Sequence, residues 1–179
     1  MPVLPPPTTP VASVVAPPPV TAPAGRYGFN DAWLGESLVD WRASRPLRAT
    51  LPCTPTARDA QVVVCRGPDH PFSSDVAARE LTYTFVEGRL ARIAFRTSIN
   101  GFEFVTAALK KAFSTPDDIV RDQLRGSGRP HLAMIWRNGR STIELDDPLP
   151  DMSHLSVSFT VDALAAKVAP PSADSARSS

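Results

Sequence analysis

Leu81 to Phe113, LTYTFVEGRLARIAFRTSINGFEFVTAALKKAF, reads as a β-hairpin that runs into an amphipathic helix. The Glu87-Gly88 turn decides which side chains share a face, because strand side chains alternate and a one-residue slip exchanges the faces. A three-residue loop, Val86-Glu87-Gly88, with Gly88 in the left-handed conformation would set Phe85 opposite Arg89. Leu81, Tyr83 and Phe85 then join Ala91, Ile93 and Phe95 on one face, and Thr82, Thr84, Arg92 and Arg96 fall on the other. A two-residue loop would scatter both sets.

The helix that follows carries its own start signal. Asn100 can cap it, Glu103 sits at the third helical position, and Ile99 can staple against Phe104. Phe102, Val105, Leu109, Ala112 and Phe113 recur at helical spacing and form one apolar stripe, which needs a sheet to cover. Burying one large apolar side chain contributes ~1.5–3 kcal/mol, so these Phe and Leu positions outweigh local propensity in fixing the packing.

Upstream, residues 1–25 hold nine of the 20 prolines and no charge. Proline lacks the amide donor and fixes φ, so this tract is expected to be an extended, polyproline-like tether of up to ~3.1 Å per residue. It has neither the basic start nor the unbroken apolar run of a signal peptide, and nothing in the chain approaches a membrane span. An export signal is therefore not visible in it: either a signal has been removed or the protein stays inside. The expected organisation is a tether over 1–25, one domain over 26–168 and a disordered tail over 169–179. Net charge is +1, and Lys occurs only at 110, 111 and 167, so nearly all 19 basic residues are Arg, spread in ones and twos. Such a balance gives little long-range attraction to nucleic acid or to an anionic membrane.

Leu34, Leu38 and Trp41 predict a first helix over about 36–44 ahead of Pro46. In LPCTPTARDAQVVVC, Cys53 and Cys65 flank a turn-rich loop, and Gln61 to Cys65 is β-branched enough for a strand. With no CxxC spacing and only His70 nearby, a zinc site would lack ligands. A disulfide closing the loop points to an oxidising compartment, and two buried thiols are the alternative. Ser114-Thr115-Pro116-Asp117-Asp118 carries helix-start signals and predicts a short helix to about Leu124.

In HLAMIWRNGRSTIEL, Asn138-Gly139 suits a two-residue turn, which would set Trp136 opposite Ser141, Met134 opposite Ile143 and Leu132 opposite Leu145. Leu155, Val157, Phe159 and Val161 alternate with polar residues as a last strand. The two halves share an outline of helix, then strands around a Gly-Arg turn, which suggests a degenerate α-β-β duplication. The expected fold class is α+β: one antiparallel sheet of about five to six strands with two main helices on one face.

YGFNDAWLGESLVDWRA, the Cys pair, TYTFVEGRLARIAF, GFEFVTAALKKAF, IWRNGRSTIEL and LSVSFTVDAL together resemble a group of small, uncharacterised, exported α+β proteins of proteobacteria, over about 27–166. The resemblance implies a periplasmic or secreted domain and transfers no catalytic residue. More distantly, the layout is similar to small outer-membrane assembly lipoproteins and to β-lactamase inhibitor proteins, an analogy of fold alone.

Chemistry is sparse in this chain. Gly126-Ser127-Gly128 has no strand before it to form a phosphate loop, and Asp146, Asp147 and Asp151 lack calcium-loop spacing. A hydrolase would have only His70, His131 and His154 as its usual base, each without an evident partner. No catalytic residue, metal or cofactor is assigned. The leading expectation is a non-catalytic, envelope-associated binding or structural module for a protein partner, without membrane insertion. The alternatives are an inhibitor or accessory protein of an extracytoplasmic enzyme, and a hydrolase. Outward positions Arg92, Arg96, Ile135 and Arg137 are the candidate partner-binding residues, because Arg covers apolar surface with its stem and bonds in a fork.

Overall fold

A computed structural model describes residues 26–73, 76–123, 130–146 and 154–168. The proline tract 1–25, the Gly-Ser-Gly loop, the acidic turn at 147–153 and the tail 169–179 lie outside the described residues. Residues 28–33 form a small ribbon, β1 (Gly28–Phe29) and β2 (Ala32–Trp33), joined by Asn30 and Asp31 at φ 52° and 59°. Asn and Asp tolerate that left-handed geometry better than most residues, which makes a two-residue turn feasible here. Ser37 then caps α1 (Leu38–Ala43), its side chain accepting from Asp40 N, and α2 (Pro46–Ala49) begins on a proline.

The sheet holds nine strands among the described residues, against the five to six expected. They are β3 (Cys53–Pro55), β4 (Val62–Arg66), β5 (His70–Pro71), β6 (Ala77–Val86), β7 (Arg89–Ser98), β8 (Asp118–Gln123), β9 (Pro130–Arg137), β10 (Ser141–Asp146) and β11 (His154–Val161). Their order is β3-β4-β6-β7-β11-β10-β9-β8, with β5 beside β6, and every pairing is antiparallel. One excess strand is β8, where a helix was expected. The helix signals at 114–118 are real locally, but Ile119 and Val120 suit a strand, and pairing with β9 satisfies the backbone along the whole segment.

The first hairpin keeps most of its expected faces by a different mechanism. Val86 pairs with Arg89, so the turn is the two-residue Glu87-Gly88, at φ 51° and 73°, and a bulge then places Ala91 out of register. Beyond the bulge, Thr84 opposes Arg92 and Tyr83 opposes Ile93, which restores the parity that a three-residue loop would have given. Ala91 is the exception: it lies with Val62 and Val86 on the other face, and Leu90 replaces it in the main core. The second hairpin is longer than expected, with Thr142 opposite Arg137 and Ile143 opposite Trp136. That register is two residues from the expected one, so Met134, Trp136, Ile143 and Leu145 still share the inner face.

On that inner face lies α3 (Phe102–Phe113), burying Val105, Thr106 and Leu109, with Phe102 and Phe113 partly buried against the same core. Ala112 is exposed. The cap differs from expectation as well. Ser98 accepts from Asn100 N and starts a 3-10 turn, Ile99–Gly101, which leads into the helix without a side-chain cap on α3 itself. Phe104 lies against Phe72, with ring centroids 6.1 Å apart. Trp41 of α1 packs on Tyr83 and Phe85 in the same cluster, so both main helices cover one face.

Candidate functional site

Among the described residues the opposite, outer face is covered at one end. A 3-10 turn (Asp162–Leu164) and α4 (Ala165–Val168) lay Leu164 and Val168 over Val62, Val86 and Ala91, and Lys167 Nζ meets Glu87 Oε1 at 2.6 Å. Beyond that cover the strands present an open polar surface whose rows follow from the pairings. One row crosses Arg66, Thr82, Ala94, Ser158, Glu144 and Ile135. The next crosses Thr84, Arg92, Thr160, Thr142 and Arg137. Arginines gather on β4 and β7, hydroxyls occupy the middle, and Glu144 and Asp146 stand on β10.

Between the arginines is a hollow of about 600 Å³. Its floor is short, Thr82, Ala94 and Ser156, and its walls are long, Arg66, Arg92 and Arg96. Arg92 and Arg96 lie on β7 two positions either side of Ala94, so both point the same way and leave a gap between them. Asp69 and Glu80 complete the rim. Glu80 sits in a second irregularity of β6 at φ 51°, and its Oε2 lies 3.6 Å from Arg96 Nε, both side chains largely exposed. Arg92 is half-buried, and burial pushes its pKa down while Glu144 pushes it back. Its Nε–H is shielded from solvent and has no acceptor among the described residues.

The four expected outward residues therefore share a face without forming one site. Arg92 and Arg96 line the hollow, whereas Ile135 and Arg137 lie on β9, three strands from β7, or ~14 Å across the sheet. Arg66 and Glu80 escaped the sequence reading. Arg66 was legible in principle, since it continues the alternation of Val62 and Val64, and Glu80 was not, since it owes its position to a backbone irregularity.

The remaining candidates are placed as follows. Cys53 and Cys65 stand opposite each other on β3 and β4, Cα atoms 4.0 Å apart, and are joined as a disulfide. His70 is half-buried, edge-on to Phe29 and Phe72, and burial first, then Arg45, lowers its pKa. That environment suits a packed neutral ring. His154 opens β11 opposite Ser98, and His131 pairs with Asp122 in the backbone ladder. Among the described residues no cluster of three His, Cys, Asp or Glu could hold a metal, and no helix is long and apolar enough to cross a membrane. Comparison with protein-family models, with curated proteins and with solved structures finds no match.

Proposed function

We propose that the chain is a non-catalytic binding module that docks a protein partner on the outer sheet face around Arg92. The observation that carries this reading is the arginine-walled hollow itself. Arg is a residue type that interface cores favour, and the hollow opens onto a broad surface of hydroxyls and charges. The Cys53–Cys65 bond supports an oxidising, extracytoplasmic setting, periplasmic or secreted, in line with the resemblance to small exported proteins. We read the two halves as a duplication: each runs from a helical segment into a four-strand meander, and the last strands of the two meanders, β7 and β11, pair at the centre.

The test is site-directed photo-crosslinking in the native envelope fraction. A diazirine amino acid at Arg96 should give a discrete protein adduct, and the same group at Lys110, on the exposed side of α3, should give none. Adducts from Lys110 with none from Arg96 would place the docking surface on the helical side and overturn the reading.

A further inference from the structure

The hollow's construction specifies the chemistry of what enters it. Short side chains at its floor make a depression that can admit a side chain, and three arginines line that depression. Arginine forks match planar, two-oxygen acceptors, and a charge-assisted bond is about twice as strong as a neutral one. Arg92 lines the depression while half-buried, so part of the desolvation of its guanidinium is already met by the fold. Glu80 shows the kind of group that fits: its carboxylate approaches Arg96, but from an exposed position where such a pair is weak and easily exchanged.

Charge counting narrows the class. Three guanidinium groups face two rim carboxylates, Asp69 and Glu80, and Glu144 acts on Arg92 from outside the hollow, which leaves at most one positive charge, a match for a singly charged group rather than for a phosphate dianion. Thr84, Thr160 and Thr142 continue outward from the hollow as hydrogen-bonding surface for a backbone on either side of that group. We infer that the hollow lined by Arg66, Arg92 and Arg96 receives a carboxylate side chain, Asp or Glu, from an acidic segment of a partner protein. This rests on the docking reading above and adds the partner's chemistry to it.

The full chain, ¹⁵N-labelled at arginine, should be titrated with acetylated, amidated hexaglutamate while the arginine Nε–Hε resonances are followed. The Arg92 resonance should shift saturably. Hexaglutamine should leave it unmoved, and inorganic phosphate at equal ionic strength should bind more weakly than hexaglutamate. Arg92→Gln should weaken hexaglutamate binding by roughly tenfold or more, as should Arg66→Gln, which keeps the test open if the first variant misfolds. No saturable shift, or wild-type affinity in both variants, overturns the carboxylate assignment. Tighter binding of phosphate overturns it in favour of a phosphate site, and a dimer that both variants dissolve overturns it in favour of a second copy of this chain. Failure here beside a discrete Arg96 crosslink leaves the docking face standing without its acidic ligand. Hexaglutamate binding without that crosslink removes the docking reading alone.

Discussion

The Arg48 guanidinium lies over the Trp41 ring, 5.3 Å from its centroid, in a position only 4% exposed. Its hydrogen bonds run to the Asn30 and Asp31 carbonyls at 2.5 and 3.3 Å and to Ser44 Oγ at 2.5 Å. Arg48 thereby fastens the β1–β2 turn to α1 and α2, where Arg45 and Asp31 add an ion pair. The cation–π contact and the charge-assisted bonds offset what burial of the charge costs.

Arg48→Met fills similar space but leaves both carbonyls of the turn without their donor. It should cost roughly 2–4 kcal/mol in urea unfolding, and Arg48→Lys should recover only part of that, since its single nitrogen replaces the two guanidinium nitrogens that reach the two carbonyls separately. Full recovery by Lys would show that charge alone matters there.

Reducing the Cys53–Cys65 bond, or the double change to Ser, should lower stability by about 3 kcal/mol through the freed loop, with the fold retained. Thiol titration of denatured, unreduced protein should find no free thiol. Two free thiols in freshly isolated protein would remove the argument for an oxidising compartment.

Arg92→Glu and Phe95→Ala separate the two faces. Phe95 is buried against Phe29, ring centroids 4.6 Å apart, so its truncation should cost ~3–5 kcal/mol through the cavity left behind. Arg92→Glu should leave the thermal midpoint within a few degrees and abolish the Arg96 crosslink. If it unfolds the chain as badly as Phe95→Ala, the outer face is core.

His70 gives a pH dependence of definite sign. Its folded pKa lies below the ordinary value of 6.5, so the unfolded chain binds the proton more readily. Its contribution is present above the unfolded pKa and is lost as pH falls through the folded one. The thermal midpoint should therefore fall between pH 7 and 5, and His70→Phe, which keeps the edge-on contacts with Phe29 and Phe72, should flatten that part of the profile. An unchanged slope in the variant would assign the loss to other groups.

The candidate site was half legible. Alternation placed Arg92 and Arg96 on the outer face correctly, and the same alternation extended by one residue pair would have added Arg66. The hollow itself was not legible, because it needs to be known that β4 and β11 flank the hairpin, which sets Thr82 and Ser156 beside Ala94 and Arg96. Nor was the burial of Ala91, Val62 and Val86, which depends on α4 folding back over the outer face from the far end of the chain.

The sequence by itself determined which side chains belong inside: Tyr83, Phe85, Ile93 and Phe95 on one hairpin, Met134, Trp136, Ile143 and Leu145 on the other, and Phe102, Val105, Leu109 and Phe113 of α3. These follow from periods of 2 and 3.6, which are local. Tertiary structure alone decided the register, the strand order and the identity of β8. A shift of two residues leaves an alternating pattern unchanged, so the observed and expected pairings of the second hairpin bury the same four residues, and only packing against β11 and α3 selects between them. At 114–123 local signals for a helix met a free edge on β9, and pairing along that edge satisfied more backbone than one short helix could.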